Sequence, residues 1–368
     1  KLFNMAKDYN DVIDFTLGDP DVPTPLPVKE AGCKAIMDGK TRYSQNAGLI
    51  ELRKAISQRY ADREGLHYLP ESEIIVTVGA MEGLYLALLA ILNDGDEVII
   101  PAPYYVNYRQ MVELCHGVPV IVEGNEKLEC DVEAVAKAVT DRTKAVILNT
   151  PCNPTGRIIP QEDIDKIAVL ARAKDLFVIT DEVYKCLIYD KSLYAESIAA
   201  LPGMKERTIV VNSLSKEFCM TGWRVGYVLA SEPVVSVMTK FQENIAACAP
   251  LPSQYAAIEA LRPGTDYSAN MASVFRRRRD VLMDELRKTD KIVCDAPEAT
   301  FYAMLDISKT GMKSEEFAYA LLKAVQVAVV PGITYGDMCD GYVRLAFTIN
   351  EDKIREGVRR IITFVESL

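Results

Sequence analysis

The 368-residue sequence is 49% hydrophobic and 26% charged, with a formal net charge of −10. This suits a soluble globular enzyme and argues against a nucleic-acid partner, because phosphate backbones need basic surface. Two histidines, His67 and His116, are too few for a three-histidine zinc site and leave little for a Ser-His-Asp triad, so no metal is expected.

Nine cysteines without a C-x-x-C pair point to reduced thiols and a cytoplasmic setting. No run approaches the ~20 apolar residues of a membrane span. The length calls for two domains. Near the N-terminus, Val12 to Pro25 reads as a short strand running into a Pro-rich turn, and residues 27–39 as a helix ending at Gly39. A polar loop over residues 41–48 carries Tyr43, and Leu49 to Tyr60 has helical periodicity. From residue 74 strands and helices alternate. Strands are expected at 74–78, 98–100, 118–122, 145–149, 176–180 and 209–211, with a second apolar run over 225–230. Helices are expected at 80–92, 132–139 and 161–173. This pattern predicts an α/β fold: a large domain with a mostly parallel sheet sandwiched by helices. After about residue 250 the character changes. A charged helix over 267–287, whose Arg276–Arg279 run reads as a solvated or interface face, precedes short strands near 300–307, 327–330 and 342–347. That region reads as a smaller α+β domain. The expected division is a segment 1–41 belonging to the small domain, a large domain 42–249 and a small domain 250–368.

In such sheets ligands bind outside the carboxyl ends of the strands. Gly79, Tyr105, Asn153, Asp181 and Lys216 all follow strand-like runs. Lys216 stands in a polar loop with Ser213 and Ser215, and Arg224 follows. Near its ordinary pKa of ~10.4 a lysine is protonated and a poor nucleophile. Burial or a neighbouring cation would free its amine. Hydroxyls and a guanidinium together suit a phosphate. A lysine amine beside a phosphate site is what an enzyme holding an aldehyde cofactor as a Schiff base needs. A surface lysine in a loop would read the same way in isolation.

Six motifs stand in order: Gly-Asp-Pro-Asp from Gly18, Asn-Pro-Thr-Gly from Asn153, Asp-Glu-Val-Tyr from Asp181, Ser-x-x-Lys ending at Lys216, Met-Thr-Gly-Trp-Arg ending at Arg224, and Tyr-Val-Arg-Leu from Tyr342. With these, the chain resembles the fold-type I, pyridoxal-phosphate-dependent aminotransferases of class I/II over residues 11–366. The resemblance implies that Lys216 forms the lysine aldimine and later carries a proton between carbons as general acid/base. Asp181 would keep the pyridine nitrogen protonated. Tyr184 and Asn153 would donate to the cofactor O3′, and Tyr105 would stack on the ring. The Gly79-Ala80-Met81 turn, at a helix N-terminus, would hold the phosphate with Ser213, Ser215 and Arg224. Tyr43 would reach the phosphate of the neighbouring subunit, making a homodimer with composite active sites. Arg344 would take the substrate α-carboxylate as a fork, and Gly18 would line the substrate pocket beside Asn153. The bonds Ala102–Pro103 and Asn153–Pro154 are expected to be cis.

Two features depart from the pattern. Met81 stands where some bacterial aspartate aminotransferases carry a lysine for a distal carboxylate. Pro297-Glu-Ala-Thr-Phe-Tyr replaces a turn that usually holds a glycine before the aromatic pair. The implied activity is ping-pong transfer of an amino group from an L-amino acid to a 2-oxo acid. A cysteine-S-conjugate β-lyase would need the same electron sink, so the motifs leave it open. A non-catalytic ligand-sensing domain is the reading from a different class.

Overall fold

The computed structural model describes residue 5, residues 9–265 and residues 267–368. Its strands are β1 (Ile13–Asp14), β2 (Ile74–Thr77), β3 (Glu97–Pro101), β4 (Val118–Val122), β5 (Thr143–Asn149), β6 (Phe177–Asp181), β7 (Thr208–Ser213), β8 (Gly226–Leu229), β9 (Tyr302–Asp306), β10 (Val327–Ala328), β11 (Val330–Pro331) and β12 (Tyr342–Ala346). Seven of them form one sheet in the order β2-β8-β7-β6-β5-β3-β4. All neighbours in it are parallel except β8, which runs against both β2 and β7. The fold is therefore α/β with a mostly parallel sheet.

The strands are apolar at both parities because both faces of the sheet are covered. Ile75, Ile147, Ile179 and Val211 point to one face, against Leu84, Leu88, Tyr108 and Met238 of the helices Gly79–Ile91, Asn107–Leu114 and Glu232–Ile245. Residues of the other parity, Val76, Val146, Val178 and Val210, pack against Leu52, Ile56, Ile164 and Ile167 on the opposite face. The helices Leu26–Met37 and Leu251–Ala260 share that second core through Val28, Ala256 and Ala257. They do so although they lie beyond the boundaries expected at 41–42 and 249–250.

A second body surrounds the antiparallel sheet β11-β12-β9 and the parallel pair β1-β10. Its core joins Phe15, Leu305, Phe317, Val343, Leu345, Ile354 and Val358. The helix Tyr267–Leu286 contributes Phe275 and Leu282, and Val183 and Tyr184 enter the same cluster from the segment after β6. Among the described residues no helix is long and apolar enough to cross a membrane.

Two local expectations need correction. The cis bonds among the described residues are Ala102–Pro103 and Thr150–Pro151, not Asn153–Pro154. Residues 152–157 close as a tight turn, with Gly156 N–H donating to Cys152 O at 2.9 Å and Cys152 N–H to Arg157 O at 2.9 Å. A trans Pro154, with its fixed φ, fits inside that turn. Lys216 lies not in a loop but in a helical turn, Leu214–Glu217, capped by the Ser213 hydroxyl, which accepts from Ser215 N–H at 3.0 Å.

Candidate active site

Four strands of the large sheet deliver polar residues to one edge. Asn149 ends β5, Asp181 ends β6 and Ser213 ends β7. Because β8 runs the other way, its first residue, Gly226, meets the same edge, and Arg224 stands two residues before it. A cavity of about 390 Å³ opens there. It is lined by Gly18, Ala80, Met81, Tyr105, Asn153, Asp181, Tyr184, Ser213, Ser215, Lys216, Arg224 and Arg344. Of the residues singled out in the sequence, Gly79 lies just behind the wall, where an added Cβ would sit 2.5 Å from the Arg224 guanidinium. Tyr43 is 85% exposed and lies outside the cavity of its own chain.

Asp181 is buried on the cavity floor. Tyr108 O–H donates to its Oδ2 at 2.7 Å and Val183 N–H to its Oδ1 at 3.3 Å. Burial pushes the Asp181 carboxyl up to about 6, although both hydrogen bonds hold it down. Among the described residues it has no ion-pair partner within 4.0 Å. A buried carboxylate without a cation fits a ligand that brings a protonated nitrogen.

Lys216 Nζ donates to Gly18 O at 2.6 Å, with its ammonium 5.5 Å from the centre of the Phe301 ring. At the other end of the cavity, Arg224 adopts the left-handed region at φ 51°. Among the described residues its guanidinium donates to two carbonyls, Thr221 O at 3.0 Å and Val78 O at 3.4 Å. The helix Gly79–Ile91 begins beside it, and its first N–H groups have no partner within the helix. The Ser213 and Ser215 hydroxyls are 2.9 Å apart and both buried. A cation, two hydroxyls and a helix N-terminus converge on one spot, which is the donor set a phosphate requires.

Arg344, on β12, is buried. It donates to Asn153 Oδ1 at 3.2 Å and to Thr16 O at 2.5 Å. Its Nε, fully buried, has no hydrogen-bond partner. An unpaired donor on a guanidinium facing the cavity fits a ligand carboxylate. Asn153 is itself held by Asn149, whose Oδ1 accepts from Asn153 N–H at 2.8 Å and whose Nδ2 donates to Asp181 O at 3.2 Å. One run of hydrogen bonds thus links the Asp181 backbone to the Arg344 guanidinium.

Sequence reasoning missed several of these residues. Tyr108 lies in the first turn of the helix Asn107–Leu114, three positions after Tyr105, which precedes that helix. The two rings meet edge to face at 5.5 Å, and Asn107 Nδ2 donates to Tyr105 O–H at 3.0 Å. Tyr302 was visible only as part of an aromatic pair. Its hydroxyl lies 3.1 Å from that of Tyr184. Asn149 and Thr16 also line the cavity, and no motif marked them; Thr221 lines it too, inside the motif that ends at Arg224.

Comparison with known proteins finds relatives along almost the whole chain. The family described as aminotransferase class I and II matches residues 10–361. An aspartate aminotransferase of Pyrococcus abyssi is 41% identical over 365 residues, covering 98% of this chain and 93% of that protein. An aromatic-amino-acid aminotransferase of Thermococcus litoralis is 38% identical over 365 residues, with 98% and 93% covered. The crystal structure of an aromatic aminotransferase from Pyrococcus horikoshii superposes with a TM-score of 0.94 at 38% identity, covering all of this chain and 99% of that one.

Proposed function

The chain belongs to the class I and II aminotransferase family, and from that premise we propose that its cavity binds pyridoxal 5′-phosphate and works by alternating half-reactions. The enzyme is an aminotransferase, so its substrates are an amino acid and a 2-oxo acid. The observation that carries the cofactor assignment is the convergence of Lys216, the unpaired buried carboxylate of Asp181 and the phosphate-type donor set at Arg224 on one cavity.

In this reading Lys216 anchors the cofactor and Asp181 faces its ring nitrogen. Asn153 and Tyr184 donate to its phenol oxygen, and Tyr105 covers a ring face. The N–H groups of Gly79, Ala80 and Met81, together with Ser213, Ser215 and Arg224, hold its phosphate, joined by Tyr43 of the partner subunit. When bound, the cofactor supplies an electron sink that acidifies the Cα–H bond of an attached amino acid. The protein residues do the rest. Arg344 grips the α-carboxylate through its free Nε and fixes which Cα bond can break. The Lys216 amine takes the Cα proton and carries it. Gly18 O, which now accepts from Lys216 Nζ at 2.6 Å, gives that amine a resting partner beside the substrate.

The expected assembly is a homodimer with shared sites. Nine free thiols fit a cytoplasmic setting. The proposed division is a large cofactor-binding unit and a small unit, with the helices Leu26–Met37 and Leu251–Ala260 assigned to the large one by their packing.

The test is reconstitution with pyridoxal phosphate. The wild type should turn yellow, bleach to the pyridoxamine spectrum with an amino donor and recover with a 2-oxo acid. Lys216→Ala should lose the visible band and turnover. A colourless wild-type protein would sink the proposal. Release of pyruvate and a thiol without an acceptor would mark a β-lyase instead.

A further inference from the structure

Tyr302 opens β9 in the small body, and its side chain reaches into the cavity of the large one. It is buried. Its hydroxyl lies 3.1 Å from that of Tyr184. Its ring lies 4.3 Å below the Arg344 guanidinium carbon, and Tyr335 lies 5.2 Å from the same carbon. The sheet register explains the stacking. Tyr302 pairs with Ala346 and Arg344 with Met304, so Tyr302 and Arg344 are diagonal neighbours on one face. Opposite the hydroxyl is Gly18, where an added Cβ would sit 1.8 Å from Tyr302 Oη.

The phenols of this cavity have separate partners. Tyr105 meets Asn107, and Tyr108 meets Asp181. Among the described residues the Tyr184 hydroxyl has one side-chain hydrogen-bond partner, Tyr302. A phenol has one proton to donate. If Tyr184 spent its proton on Tyr302, none would remain for a ligand. We propose that Tyr302 is a positioning residue with two parts: its hydroxyl donates to Tyr184, committing the Tyr184 proton to the cofactor phenol oxygen, and its ring is the platform that holds Arg344 for the substrate carboxylate. This rests on the cofactor reading given above. Burial pushes the Tyr184 phenol well above its ordinary range, so Tyr184 keeps its proton as a donor throughout the working pH.

The hydroxyl has a spectroscopic consequence. A donor aimed at the phenol oxygen competes for the lone pairs that would otherwise help hold a proton on the Lys216 nitrogen. A stronger donor therefore lowers the pH at which that proton leaves. Tyr302 strengthens Tyr184 as a donor, because hydrogen bonds in series polarise one another.

The experiment uses holoenzyme reconstituted with pyridoxal phosphate and follows its visible absorbance against pH. Tyr302→Phe should keep the cofactor, move the midpoint up by about 0.5 to 1 unit and leave KM for the donor within about twofold. Tyr302→Leu removes the ring as well, and should also raise KM by about five- to tenfold. In a Tyr184→Phe background, Tyr302→Phe should add no further shift, since the effect passes through Tyr184. An unmoved midpoint in Tyr302→Phe, or additive shifts in the double variant, overturns the hydroxyl role. An unmoved KM in Tyr302→Leu overturns the platform. A wild type with no visible band would instead defeat the cofactor reading, so the two failures are distinct.

Discussion

Asp181 is a carboxylate held by the fold in an unfavourable, buried state. Its folded carboxyl lies near 6 against an ordinary 3.8, raised by burial. Below about pH 4 it is protonated both folded and unfolded, and no stability is lost. As pH rises from 4 to 6 the unfolded chain gives up its proton first, so stability falls; above 6 the loss is constant, at most about 3 kcal/mol. Cofactor-free Asp181→Asn should therefore exceed the wild type in urea denaturation at pH 7.5 by up to that amount and match it at pH 4. Equal stability at pH 7.5 would mean that the carboxylate already has a partner. At this scale the sequence was legible where a residue's chemistry is narrow. Lys216, Asp181 and Arg344 each follow or lie on an apolar run; Asp181 and Arg344 are buried and Lys216 is half-buried, and a charge in such a place needs a reason. Tyr108 and Tyr302 were not legible, because a tyrosine serves equally as core filler, and only tertiary contact reveals what its hydroxyl meets.

Among the elements, the four-residue helix Leu214–Glu217 and the start of β8 hold the two ends of the site. Glu217 pairs with Arg59, with side-chain exposures of 8% and 15%. Removing one partner of a buried pair leaves the other charge stranded. Glu217→Ala should cost about 3 kcal/mol of unfolding free energy, read by chemical denaturation, and loosen the turn that carries Lys216. Gly226 abuts the phosphate-type turn so closely that an added Cβ would lie 2.6 Å from both Ala80 N and Gly79 C. These are backbone atoms and cannot swing aside. Gly226→Ala should destabilise by about 1–3 kcal/mol and weaken pyridoxal phosphate binding, measured by equilibrium titration. The long elements were readable because their periods repeat; the helix Gln161–Ala173 and the strand Val118–Val122 match their expected bounds. A four-residue helix completes barely one turn, so Leu214–Glu217 offers no period to detect. The cis bond at Thr150–Pro151 was likewise beyond local reading, since the choice among neighbouring prolines follows from how the whole 149–157 loop closes.

Across the whole molecule the site draws on segments far apart in sequence. Arg278 joins Asp21 at 2.6 Å and Thr348 O at 2.6 Å, which pins the N-terminal segment to the small body. Strand β1 pairs with β10 in the same body. The alternation of strands and helices announced the α/β sheet, but it carried no information on which face the helices Leu26–Met37 and Leu251–Ala260 would cover. The exposed Tyr43 gives the proposed dimer a direct test. Lys216→Ala and Tyr43→Ala protomers, dissociated and reassociated together, should form hybrids with one intact site. Turnover should then exceed that of either parent at limiting cofactor. No gain on mixing would contradict the shared site.

The reversal of β8 places Lys216 and Arg224 on a single connection, pinned by Arg59 and Glu217 near one end and by Gly79 and Gly226 at the other. That connection acts as a caliper between an amine and an anion seat. Pyridoxal without its phosphate spans only one jaw and is expected to load more weakly. On the proposed cofactor reading, the protein would discriminate among vitamers of one ring by whether both jaws are filled, before any contact with an amino acid.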